Sequence, residues 1–111
     1  MDSDKIRVRA MIRLLATSEG GRTSPIRGSY RPNHNFFETV DREMMIGFID
    51  LPEGSELRPG ESMEAFIAFW QAPGLDDLLY PGRQWRIQEG MRLVGIGTVL
   101  AVLPPGDDQW P

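Results

Sequence analysis

The stretch "IRVRAMIRLL", Ile6 to Leu15, decides the fold class. Ile6, Val8, Ala10, Ile12 and Leu14 occupy one set of alternating positions, and Arg7, Arg9 and Arg13 occupy the other. A two-residue period belongs to a strand with one buried face; wound at a helical period, the same arginines would be scattered around the cylinder. The pattern predicts a strand over residues 6–16.

Outward from that strand, turn chemistry recurs. In "SEGGRTSPIRGSYRPN", Ser18 to Asn33, Gly20-Gly21 permits positive backbone dihedrals while Pro25 and Pro32 withhold amide hydrogens, which predicts a shaped loop with a basic surface. Strands are expected over residues 34–38 and 44–51, the second stopped by "LPEG", with another turn at "RPGE", Arg58 to Glu61. "MEAFIAFW", Met63 to Trp70, is apolar-rich, lacks helix caps and sits between turn signals, so it is expected to be a strand. Gln71 to Gly82 is a connection with one helical turn around Leu75 to Leu79. A hairpin-like pair follows, residues 83–87 and 91–103, linked by "QEG" at Gln88 to Gly90. The last of these strands is apolar on both alternating faces in its second half, which predicts double coverage or an interface. The whole is an all-β barrel or sandwich over residues 1–103, with a flexible Pro/Asp-rich tail at 104–111.

A chain of 111 residues, 41% hydrophobic and 25% charged, suits one globular domain. Its net charge of -4 is unevenly placed: residues 1–37 hold seven Lys and Arg against three Asp and Glu, and the remainder holds five against thirteen. A basic segment therefore sits on an acidic protein. With no Cys, thiolate chemistry and disulfides are excluded. The charged N-terminal residues lack the apolar core of a signal peptide and no segment reaches membrane-spanning length, so a cytoplasmic protein without membrane contact is expected. His34 is the only histidine and no nucleophile motif surrounds any serine; Asp76-Asp77 and Asp107-Asp108 lack a calcium-loop pattern. Neither catalysis nor a metal is expected. Tyr80 and Trp85 belong to the 74–85 segment and are candidates for an exposed protein-interaction patch.

Four motifs in order carry a family resemblance: "EGGRTSPIRGSYRPN" at Glu19 to Asn33, "GFIDLPEG" at Gly47 to Gly54, "RPGES" at Arg58 to Ser62, and "WRIQEGMRLVGIGTVLAVL" at Trp85 to Leu103. Together they resemble the third, C-terminal domain of bacterial elongation factor Tu, over nearly the whole chain. The resemblance implies a closed six-stranded antiparallel β-barrel that acts by binding. In that family the domain packs on a GTPase domain and contacts the T-stem backbone of aminoacyl-tRNA. Carried over by motif, Arg22, Glu89 and Gly90 would contact tRNA, with Arg27 and Arg31 as further phosphate contacts. Thr23 stands where the family commonly has His, so the RNA surface is altered. No Gly-rich loop ending in Gly-Lys-Ser/Thr is present and the only lysine is Lys5, so neither nucleotide nor any other cofactor is expected. Two functions remain open: a translation-factor-type module recognising tRNA or a translation-factor protein, and a regulatory domain that competes with elongation factor Tu without binding RNA. A barrel without the usual partner domains would expose apolar surface, so a homodimer is also expected.

Overall fold

The computed structural model describes residues 5–37 and 44–104. Among the described residues nine strands run in chain order: β1 (Lys5–Leu14), β2 (Ile26–Arg27), β3 (Ser29–Tyr30), β4 (Asn33–Asn35), β5 (Met45–Asp50), β6 (Glu56–Leu57), β7 (Ser62–Trp70), β8 (Gln84–Glu89) and β9 (Arg92–Val102). An α-helical turn, α1 (Leu75–Leu78), precedes β8. No helix among the described residues is long and apolar enough to cross a membrane.

Six of these strands close into an antiparallel barrel. Neighbours run β1–β9–β8–β4–β5–β7, and β7 returns to β1, so every barrel strand has a partner on both sides. Closure removes the unpaired edges that would otherwise template pairing with another chain. β3 pairs with the end of β5, and β2 with β6 forms a small separate ribbon. The alternation in β1 does what its period requires. Val8, Ala10, Ile12 and Leu14 point into the barrel and are essentially inaccessible, while Arg9 reaches out to Glu64 on β7.

The interior is aromatic at one end. Phe36, Phe69 and Trp85 pack against one another, Phe36 stacking on Trp85 at 5.4 Å between centroids and Phe69 meeting Trp85 edge-on at 5.8 Å. Each such side chain contributes roughly 1.5–3 kcal/mol by leaving water. Into this cluster folds His34, fully buried. Its Nε2–H donates to the Gly47 carbonyl at 3.2 Å, and its Nδ1 accepts the Trp85 indole N–H at 2.9 Å. Those two bonds define a neutral imidazole, and burial holds its pKa down to about 4.

Trp85 is thus a core residue, which corrects its assignment to an exposed patch. Only 3% of it meets solvent, because Gly97, directly opposite on β9, leaves a flat recess for the indole. Tyr80 is half exposed but has lost its partner in that patch. The two-faced apolar character of β9 also has a local explanation. Pairing shifts register between Ile87 and Gln88 and again between Arg9 and Ala10, so β9 carries residues that step out of strict alternation. Val94 and Val99 are buried, Leu100 is partly so, and Val102 emerges into solvent. Of the expected tail only Pro104 lies within the described residues; Asp107, Asp108 and Trp110 lie outside them.

Candidate binding site at the EGGR loop and the QEG hairpin

The loop after β1 is built around its two glycines. Thr17–Glu19 make one tight 3-10 turn, begun by the Ala16 N–H donating to the Glu19 carboxylate at 2.8 Å and ended by Gly20 at φ +92°. Gly20 is needed for that left-handed dihedral. Gly21 is needed for room, since a Cβ there would lie 2.4 Å from the Leu15 carbonyl oxygen. The Thr17 hydroxyl then donates to the Arg22 carbonyl at 2.7 Å, fixing where the arginine leaves the loop.

On the other side, β8 and β9 meet at a tight turn with Gly90 at φ +61° and Glu89 paired to Arg92 across the strands. The loop and the hairpin are tied together. Arg92 donates from Nε to the Gly20 carbonyl at 3.1 Å and from Nη2 to the Gly21 carbonyl. Arg22 Nη1 forms an ion pair with Glu89 Oε2, and the Tyr30 hydroxyl donates to the same oxygen. The Arg22 fork is completed by the Ser24 carbonyl and hydroxyl, each at 3.1 Å, and its guanidinium lies 5.3 Å from the Tyr30 ring centroid.

The titrations follow from these contacts. Partial burial opposes the charge on Glu89, but the hydrogen bonds from Tyr30 and Arg22 outweigh it and leave the carboxyl below its usual range. Partial burial likewise opposes charge on Arg22, and Glu89 more than compensates, so the guanidinium is held even more firmly protonated. Burial and the neighbouring carboxylate push the Tyr30 phenol upward.

The three residues implied as tRNA contacts, Arg22, Glu89 and Gly90, therefore converge on one end of the barrel. Arg27 and Arg31 do not join them. Arg27 pairs with Glu56 at 2.6 Å on the β2–β6 ribbon, where Arg58 also meets Glu56 at 3.1 Å. Arg31 lies over the Phe48 ring at 5.5 Å. Tyr30 and Arg92 escaped the sequence reading. The signal for Arg92 was present, since a residue two beyond the hairpin glycine faces the residue before it. Among the described residues no group of three or more His, Asp or Glu could share a metal ion.

These features define a class of protein: a closed antiparallel β-barrel whose candidate site is made from loop and hairpin tips. No protein-family model matches the chain. Over 96 residues it is 38% identical to elongation factor Tu 2 of Streptomyces avermitilis, a match that takes in 86% of this chain and 23% of that protein. The chain thus spans about a quarter of the length of the curated relative it matches. It resembles the C-terminal β-barrel domain of elongation factor Tu in sequence and in fold, and the homologous region is that barrel and not the GTPase domain.

Proposed function

We propose that the barrel is a noncatalytic binding module of translation-factor type that presents the EGGR loop and the QEG hairpin to an RNA backbone, that of aminoacyl-tRNA. The observation that supports this most is the convergence of Arg22, Glu89 and Gly90 on one surface from positions 67 residues apart. Of the five N–H donors of a guanidinium, Arg22 uses Nε and one on each terminal nitrogen within the chain, which leaves a donor on each terminal nitrogen for a phosphate. Both contacts to Glu89 use Oε2, so Oε1 is placed to accept from a ribose 2′-hydroxyl. Pre-positioning by Glu89 and Ser24 lowers the entropy lost when the arginine engages its ligand.

A second reading is a protein-interaction domain that competes with elongation factor Tu without touching RNA. The net charge of -4 and the internal pairing of Arg22 and Arg27 favour it. Titration of labelled aminoacyl-tRNA against the protein and its Arg22→Ala variant separates the two. Under the first reading, affinity is weak and strongly salt dependent, and the variant lowers the slope of log affinity against log salt by roughly one unit. The same substitution should cost less than about 1 kcal/mol of stability, because the pair is partly solvated. Absence of binding by the parent even at low salt would leave the second reading standing.

A further expected result concerns nucleotide. The missing phosphate loop and the correspondence with the barrel alone lead us to expect no saturable GTP binding by calorimetry. Micromolar binding would overturn that expectation.

A further inference from the structure

Several arginines are neutralised inside the chain: Arg9 meets Glu64 at 2.8 Å, Arg13 meets Glu19 at 3.5 Å, and Arg22, Arg27 and Arg58 are paired as described. Lys5 and Arg31 take part in no ion pair among the described residues. Both instead lie over aromatic rings. Lys5 Nζ is 5.0 Å from the Trp70 centroid and 5.9 Å from that of Phe48, and Arg31 Cζ is 5.5 Å from Phe48. An exposed contact of this kind is worth only about 0.5–1 kcal/mol and leaves the positive charge uncompensated.

Strand register gathers these groups on the outside of the barrel. Lys5 stands opposite Trp70 on β7, and Phe48 and Ile46 are alternate residues of β5, whose intervening Gly47 and Ile49 face the core. Trp70 is 39% and Ile46 46% exposed. Beside them lies an open cleft of about 500 Å³, lined by Met45, Ile46, Trp70, Ala72 and Pro73 among others. Two cations that meet no carboxylate among the described residues, next to apolar surface, call for a partner bearing negative charge and an apolar side chain. A single-stranded nucleic acid would need aromatic faces for stacking, but the cations already occupy faces of Phe48 and Trp70. The rest of the cleft wall is mostly aliphatic and thioether, Met44, Met45, Ile46, Ala72 and Pro73, which suits an apolar side chain better than a base.

We propose that this face binds an acidic protein segment carrying an apolar anchor, its carboxylates against Lys5 and Arg31 and its anchor beside Ile46 and Trp70. Lys5, Arg31, Ile46, Phe48 and Trp70 make no hydrogen bond or ion pair to Arg22 or Glu89 among the described residues, and the proposal does not depend on the function proposed for that cluster.

The test is to pan a displayed library of random short peptides on the full chain and to titrate an enriched peptide, resynthesised and labelled, against the parent and three variants. Enriched sequences should pair Asp or Glu with Trp, Phe or Leu. Affinity should fall roughly tenfold or more in Trp70→Ala and in the double variant Lys5→Glu/Arg31→Glu, and should be unchanged in Arg22→Ala. The charge-reversed variant keeps the apolar surface, so the test survives even if Trp70→Ala fails to fold; circular dichroism melts check each protein. Failure to enrich acidic peptides, or binding indifferent to both patch variants, overturns the proposal. So does a labelled single-stranded RNA that binds the parent and is lost in Trp70→Ala, which would assign the face to nucleic acid.

Discussion

Acidification from pH 6.5 to pH 4 should cost the barrel about 3 kcal/mol through His34 alone. The imidazole is surrounded by Phe69, Trp85 and the β5 backbone, and burial lowers its pKa from 6.5 to about 4. Its ring nitrogens are both committed, one accepting from Trp85 and one donating to Gly47, so an added proton must displace the indole N–H and place a charge in an apolar core. With a folded pKa below the unfolded one, the unfolded chain binds more protons between the two values. Stability is therefore complete above pH 6.5, falls by about 1.4 kcal/mol per pH unit at most through the window, and loses nothing further from this group below pH 4. Since this is the only histidine, the upper part of the window is its own. The depressed carboxyls of Glu56 and Glu89 add losses that begin as pH falls through the ordinary carboxyl range and continue down to their lowered folded values. Urea denaturation at successive pH values measures the slope, and a flat profile between pH 6.5 and 5 would sink the account of a buried neutral imidazole.

Gly97→Ala should lower stability by about 3 kcal/mol and the melting temperature by roughly 10–20 °C. A methyl group at that position would lie 2.4–2.6 Å from three atoms of the Trp85 ring. Neither partner has room to yield. The indole is stacked on Phe36, edged by Phe69 and bonded to His34, while Gly97 is paired with Trp85 on one side and Ile12 on the other. The smaller ring of Trp85→Phe makes space, so the double variant should lose at least about 1 kcal/mol less than the two single losses added together. Strict additivity in thermal melts would show that the clash is not the cause.

The barrel was legible because the alternation in β1 and the spacing of Gly and Pro turns are local properties, readable within a few residues. The candidate site was legible only through resemblance. Nothing local to Arg22 announces that Glu89 will be its counter-ion, because the contact is created by barrel closure between segments far apart in sequence. Trp85 went astray for a similar reason: an aromatic beside a loop gives no indication of side until the strand opposite is known, and only then does Gly97 reveal a recess. Arg27 and Arg31 show the limit of counting charge along the chain. Close in sequence to Arg22, they find other partners: Arg27 lies on β2, which pairs with β6 and brings it to Glu56, and Arg31 follows Tyr30 at the end of β3 with its guanidinium over Phe48 of β5.

The position of β1 has a consequence for how the chain comes to be folded at all. Its flanks are filled by β7 and by β9, so during synthesis the first barrel strand to emerge must wait for residues 62–70 before gaining one neighbour and for 92–102 before gaining the second. Pairings at such separation place the domain among those that fold in milliseconds to seconds. Through that interval a hydrophobic ribbon of Ile6, Val8, Ile12 and Leu14 is available to other nascent chains. Arg7, Arg9 and Arg13, interleaved along it, make its stacking with a copy of itself electrostatically unfavourable, so the charged alternate positions of β1 are suited to act as gatekeepers against aggregation before the barrel exists.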